Sequence, residues 1–244
     1  MAKERGITEF EMVFPETAHP AFDKACMYLG VKPILVPYDH KSGKVFINKL
    51  KAAVNKNTVG IAVSCPNYPN GNFDDIDEIG AFCLKKNLPM HVDCCIGGFT
   101  APFAEKFGRR MPIFDFRNPA VTSISVDHHK YGMAPKGFAI LLFKDKKVRS
   151  HSYFAKTNWP GGVYACPGML GSRSGAPSAG GWVSMVYHGY DGYAQKAKAI
   201  FETQDAFVKK LKDLKQLRII GEPVLGLTSV TAAEGTNTDI FGLQ

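Results

Sequence analysis

Two residues of this sequence have a type and a placement that could do chemistry together. Asp93 is an acid at the end of the apolar run Met90-His-Val-Asp, and Lys130 sits in the run Ser-Val-Asp-His-His-Lys-Tyr-Gly. An acid closing a buried strand is costly without a cationic partner. A lysine in a short loop between two apolar strands, flanked by histidines, is expected to have a depressed pKa, which makes its amine a nucleophile. Such an amine can form a Schiff base with a carbonyl carbon, and a carboxylate facing a protonated ring nitrogen keeps that ring an electron sink. Pyridoxal 5'-phosphate is a cofactor that asks for both groups. Each residue also has an ordinary reading: Asp93 as a helix cap or salt-bridged structural acid, Lys130 as a solvated surface cation.

The elements that must position these residues alternate between short apolar strands and amphipathic helices. A helix is predicted over Pro20 to Leu29, closed by Gly30, followed by a strand over Lys32 to Pro37. A helix over Ile47 to Val54 leads to a buried strand over Thr58 to Ser64 and a loop, Cys65-Pro-Asn-Tyr-Pro-Asn-Gly-Asn. Asp75 to Lys86 reads as a helix and Pro89 to Asp93 as a strand; Ser123 to Val126 and Gly137 to Phe143 flank Lys130 like two sides of a hairpin. Gly175 to Trp182 reads as a linker or tight loop, Tyr193 to Leu214 as a long helix, and Leu217 to Ile220 and Leu227 to Ala233 as strands. Buried strands alternating with helices predict an α/β fold with a mostly parallel sheet covered on both faces. Ligands of such sheets bind beyond the carboxyl ends of the strands. Asn67-Tyr68, Asp93, His128-His129-Lys130 and His19 all fall at such ends.

Composition narrows the class. With 244 residues, 45% hydrophobic and 21% charged, the chain reads as ordinary globular material with room for one large domain and part of a second. Its six cysteines fit no zinc spacing, no metal site is expected, and reduced thiols in a cytosol-facing protein are predicted. The formal net charge of +8 is spread out, without a basic stripe interleaved with aromatics, so no nucleic-acid partner is expected. No run of about 18 apolar residues is present. No signal-peptide pattern is visible at the amino terminus either.

Three runs carry a family resemblance: His91-Val-Asp-Cys-Cys-Ile-Gly-Gly-Phe99, Thr122 to Gly137 with its His-Lys-Tyr-Gly-Met-Ala-Pro-Lys-Gly stretch, and Gly171-Ser-Arg-Ser-Gly175. They resemble the sphingosine-1-phosphate lyase family, in the group II decarboxylase branch of the fold-type I pyridoxal-phosphate enzymes. The resemblance runs from Pro15-Glu-Thr-Ala-His19 to about Leu227. Related amino-acid decarboxylases usually carry Asn-Pro-His-Lys-Trp where this chain has Asp127-His-His-Lys-Tyr.

The resemblance implies a role for each matching position. Lys130 would be the Schiff-base lysine, Asp93 would bind the pyridine nitrogen, and His19 would stack on the cofactor ring. His129 would lie against the cofactor phosphate. Gly171 and Ser172 would reach the phosphate of a neighbouring subunit's cofactor, so the active site would belong to a homodimer. Tyr68 and Lys136 would line the substrate pocket, Lys136 meeting a substrate phosphate. The implied activity is aldehyde-lyase cleavage of a phosphorylated sphingoid base into a long-chain aldehyde and phosphoethanolamine. Two alternatives stand beside it: an amino-acid decarboxylase of the same branch, and a non-catalytic homologue acting as a dimerisation partner.

Relative to that family, residues 1–215 are expected to form the cofactor-binding large domain without its amino-terminal part, and 216–244 to begin a small α+β domain. The family's upstream phosphate-gripping helix start and the eukaryotic membrane anchor are not among these residues. An endoplasmic-reticulum location would depend on that anchor; otherwise a cytoplasmic one is expected.

Overall fold

The computed structural model describes residues 2–240. Its framework is a six-stranded sheet. In chain order the strands are β1 (Glu11–Pro15), β2 (Lys32–Val36), β3 (Thr58–Ser64), β4 (Met90–Asp93), β5 (Val121–Val126) and β6 (Ile140–Phe143). Their spatial order is β2-β1-β3-β4-β5-β6. The first five pair in parallel, and β6 joins β5 antiparallel. The hairpin expected around Lys130 is this antiparallel pair, with the lysine in its connection.

The central strands are short and largely buried, whereas the edge strands β2 and β6 leave Leu35, Leu141 and Leu142 exposed. On one face Phe14, Ala62, Ala18 and Cys26 pack under helix α1 (Ala21–Leu29), which ends at Gly30 with φ 63°. On the other, Val13, Ile61, Val63, Met90, Val92, Ile124 and Val126 meet Leu50 of α2 (Ile47–Ala53) and Ile76, Ile79 and Cys83 of α3 (Ile76–Lys86). Asp77 and Glu78 in the first turn of α3, with Lys85 and Lys86 in its last, match the helix dipole. Short helices α4 (Ala101–Ala104) and α5 (Lys146–Ser150) fill connections.

The expected linker at Gly175 to Trp182 is instead the beginning of a long helix, α6 (Ala176–Lys212), well upstream of the predicted start at Tyr193. Its glycines hide the period because the helix breaks at Gly189, where φ 60° and ψ −178° turn the backbone out of the helical region. The second half buries Tyr193, Ala194, Ala197 and Phe201 on the sheet, while the first leaves Trp182, Val186 and Tyr187 exposed.

Several elements were not anticipated: β1 itself, and a hairpin of β7 (Phe154–Trp159) and β8 (Gly162–Cys166) in which every residue of β7 is exposed. The last tract pairs β9 (Leu217–Ile219) with β10 (Val230–Ala232) in a separate two-stranded sheet. Between those strands Leu225 is buried in the main core. Arg109 clamps the tract to α6: its guanidinium donates to the carbonyls of Val224 (2.8 Å) and Phe201 (2.9 Å) and pairs with Asp205 (2.7 Å). No helix among the described residues is long and apolar enough to cross a membrane.

Candidate active site

The neighbours β1, β3, β4 and β5 are all parallel, so the segments leaving their carboxyl ends share one rim of the sheet. Leaving β1 is the turn that carries His19; leaving β3 is the loop with Tyr68. Asp93 closes β4, and Lys130 lies four residues beyond β5, which ends at Val126. Sequence-distant candidates thus become neighbours in strand order.

Register then sorts side chains by face. Ala62 lies beside His91 and Ser64 beside Asp93, while His91 lies beside Ser123 and Asp93 beside Ser125. The face that α1 covers over β1 and β3 therefore turns polar over β4 and β5. There Asp93 is 7% exposed and its Oδ1 accepts two hydrogen bonds, from Cys95 N and Ser125 Oγ, both at 2.9 Å. Together they fix the orientation of the carboxylate.

Lys130 Nζ lies 3.0 Å from Asp127 Oδ2, with the lysine side chain 30% exposed. Burial disfavours the ammonium, but Asp127 and the Cys95 thiol outweigh it, and the pKa is raised. This corrects the expectation of a depressed lysine: the flanking histidines do not supply the charge that was to depress it. His128 is fully buried with neither ring nitrogen bonded, stacked between Phe99 (4.5 Å) and Phe138 (5.2 Å), and burial pushes its pKa down. His129 Nδ1 sits 3.0 Å from the Phe138 carbonyl, to which it can only donate, and its Nε2 lies 3.8 Å from Asp127 Oδ2. Cys95 beside the lysine is held thiol-like, its pKa pushed up to about 11 mainly by burial.

The lysine connection is anchored from behind. Ser184 Oγ and Tyr193 Oη both donate to the Gly132 carbonyl at 2.8 Å, one from each side of the Gly189 break. A Cβ at Gly132 would collide with the His128 ring and with Phe99, so only glycine fits under this anchor.

The remaining expected residues lie further out. His19 is exposed and its Nδ1 accepts from Ala21 N (3.1 Å), fixing the ring at the start of α1. Tyr68 is 66% exposed in a loop braced by Asn67, whose Oδ1 accepts from Asn70 N and whose carbonyl accepts from Gly71 N, each at 3.0 Å. Lys136 is exposed on the turn after Lys130. Gly171 and Ser172 lie in an exposed segment between β8 and α6, and no described contact joins them to Asp93 or Lys130. Sequence reasoning missed Asp127, Ser123, Ser125 and the side chain of His91. The signal for three of them was present: His-Val-Asp and Ser-Ile-Ser alternate polar and apolar with the period of a strand.

A mostly parallel sheet with a clamped carboxylate at one strand end and a loop lysine past the next defines the core of a fold-type I pyridoxal-phosphate enzyme. The chain belongs to the pyridoxal-dependent decarboxylase family, whose conserved-domain profile matches residues 3–232. It is 46% identical over 213 residues to sphingosine-1-phosphate lyase of Dictyostelium discoideum, covering 87% of this chain and 40% of that protein. With sphingosine-1-phosphate lyase 1 of Rattus norvegicus it shares 39% identity over 245 residues, covering 100% of this chain and 42% of that one. The solved sphingosine-1-phosphate lyase of Burkholderia pseudomallei superposes with a TM-score of 0.92 at 40% identity, over 95% of this chain and 53% of that chain. The chain thus spans roughly half the length of the relatives it matches, or less.

Proposed function

We propose that this chain carries the cofactor-binding core of a pyridoxal-phosphate-dependent aldehyde lyase that cleaves a phosphorylated long-chain base. The observation that carries the reading is the pairing at adjacent strand ends: Asp93 pinned through Oδ1 by Cys95 N and Ser125 Oγ, beside the loop that presents Lys130. The donor set fits the cofactor. A clamped carboxylate suits a protonated ring nitrogen, and a partly buried primary amine suits a carbonyl carbon. Similarity to sphingosine-1-phosphate lyases of several organisms supports this substrate class.

In this reading Lys130 is the covalent attachment point, Asp93 offers its other oxygen, Oδ2, to the ring nitrogen, and His19 packs on the ring. His129 approaches the cofactor phosphate with Nε2, since Nδ1 is occupied by the Phe138 carbonyl. When bound, the cofactor supplies an electron-withdrawing ring that stabilises the electron pair left on the substrate's C2. The chain's residues do the rest. Lys130 would hold the cofactor in the absence of substrate, and the lysine amine or the Tyr68 hydroxyl would carry the protons of the cleavage: one leaving the C3 hydroxyl as the C2–C3 bond breaks to release the aldehyde, and one returned to C2. Lys136 faces the substrate phosphate as a compact charge.

The exposed apolar surface of the chain calls for a covering partner. A second copy of the chain is the occupant we infer, bringing Gly171 and Ser172 to its neighbour's site. Support comes from the exposed aromatic and aliphatic side chains of β7–β8 and of the first half of α6, among them Trp159, Val163, Trp182 and Tyr187. A cytosol-facing setting suits the six free cysteines; membrane attachment would come from sequence outside these residues.

The test is loading with pyridoxal phosphate. The wild-type chain is expected to develop a visible absorbance band that Lys130→Ala abolishes; a band that survives the substitution sinks the assignment. Lys136→Ala, assayed on a phosphorylated base and on an unphosphorylated amino acid, is expected to lose only the first activity. Equal loss on both would count against a phosphate-binding role for Lys136, and a wild-type chain that binds no cofactor would favour a non-catalytic partner.

A further inference from the structure

Behind Asp93 runs a chain of hydrogen bonds with one self-consistent direction. An ionised carboxylate only accepts, so the Ser125 hydroxyl proton must point at Asp93 Oδ1 (2.9 Å). With that proton committed, Ser125 Oγ can only accept from His91 Nε2 (3.2 Å), which must then carry hydrogen. His91 Nδ1 is left as a lone pair and takes the proton of Ser123 Oγ (2.8 Å). Four side chains from two adjacent strands are thereby wired in one sense, from Ser123 through His91 and Ser125 to the carboxylate.

The setting keeps the imidazole neutral. Burial lowers its pKa, and the opposing pull of Asp93 does not reverse this. The ring of Phe22 lies edge-on to it, 5.8 Å away, and supplies no charge. The strand period places His91 and Asp93 two residues apart on one face of β4, so the relay follows from register rather than from a loop.

We propose that His91 and Ser125 are positioning residues for the ring-nitrogen site: they hold Asp93 in place with its Oδ1 occupied, so that Oδ2 is presented to a protonated ring nitrogen. The inference rests on the functional reading above, in which Asp93 meets that nitrogen. A hydrogen bond to the carboxylate favours its anionic form and so keeps the shared proton on the ring. Without the relay, the proton moves toward Asp93.

The test uses the full chain loaded with pyridoxal phosphate carrying nitrogen-15 in its ring. Three quantities are read: the Kd from the visible absorbance titration, the ring-nitrogen chemical shift, and the His91 tautomer from long-range proton–nitrogen correlation. Expected are a neutral His91 protonated on Nε2, and a Kd on the order of tenfold weaker in Ser125→Ala and His91→Phe. In both variants the ring nitrogen should also shift toward its unprotonated value. His91→Gln, whose amide can accept from Ser123 and donate to Ser125, should restore both readouts. Protonation on Nδ1, or an imidazolium, overturns the proposal. So does weaker binding with an unmoved ring resonance, because that is loss of packing alone. If the wild-type chain takes up no cofactor, the functional reading fails and this inference falls with it. Normal wild-type loading with unchanged variants removes the inference alone.

Discussion

Lys130 Nζ and Asp127 Oδ2 lie 3.0 Å apart, one turn from each other in the loop beyond β5, and this ion pair acts with Cys95 against burial to raise the lysine's pKa. Without Asp127, burial becomes the dominant influence and the ammonium loses its proton at lower pH. Asp127→Asn is therefore expected to move the pH profile of adduct formation with pyridoxal phosphate to lower pH, so that it forms several-fold faster near neutrality. A profile that stays put, or moves up, would show that the pair does not control the amine.

Asp74 gives the chain a pH-dependent stability. It is fully buried; Oδ2 accepts from Ser64 N (2.7 Å) and Oδ1 has no partner. Burial, helped by Asp75, pushes its pKa from 3.8 up to about 7. The folded value lies above the unfolded one, so the fold binds this proton more tightly. The benefit is complete below the unfolded value and is lost as pH rises through the folded one. Between those limits stability should fall by up to roughly 1.4 kcal/mol per pH unit. Asp74→Asn keeps an acceptor for Ser64 N and should flatten that slope in urea titrations across the same range. An unchanged slope would assign the effect to other groups.

Ser184 and Tyr193 back each other up at the Gly132 carbonyl. Either Ser184→Ala or Tyr193→Phe leaves the carbonyl one donor, at a cost of about 1 kcal/mol. The double substitution strands a buried carbonyl and should cost more than the sum, with a coupling of roughly 1 kcal/mol or more in a double-mutant cycle. Strict additivity would mean that the carbonyl finds another partner.

The exposed apolar surface makes a prediction about assembly. Replacing Trp159 and Val163 of the β7–β8 hairpin with serine should leave the thermal midpoint of the sheet domain nearly unchanged, since neither side chain is buried in the chain. If a second copy covers this surface as proposed, sedimentation should show the wild-type chain as a dimer and the variant as a monomer. A variant that sediments like wild type would place the interface elsewhere.

Much of this was legible along the chain. The runs from Pro20 to Asp93 announce strands and helices to within a residue or two, because the strands are short apolar blocks and two of the three helices end on a left-handed cap, Gly30 and Asn87. Asp93 and Lys130 stand out for the same reason, as polar residues at the ends of apolar runs. Helix α6 was only half legible: Gly180, Gly181 and Gly189 mask its period, and its first half buries only small residues, Gly181 and Ser184, while Trp182, Val186 and Tyr187 stay exposed. The β7–β8 hairpin was not legible either, since none of its strand residues is buried to leave an inside–outside alternation.

What the sequence determined by itself is the set of groups at the rim: an acid closing one strand, a lysine beyond the next, and a histidine before α1. Tertiary structure decided their chemistry. Strand order makes β4 and β5 neighbours, and register sets Ser125 beside Asp93 and His91 beside Ser123. The fold of one loop brings Asp127 onto Lys130, reversing the direction of its pKa shift. Charge and hydrogen bonding act over a few ångströms of space, and only the folded chain sets those distances.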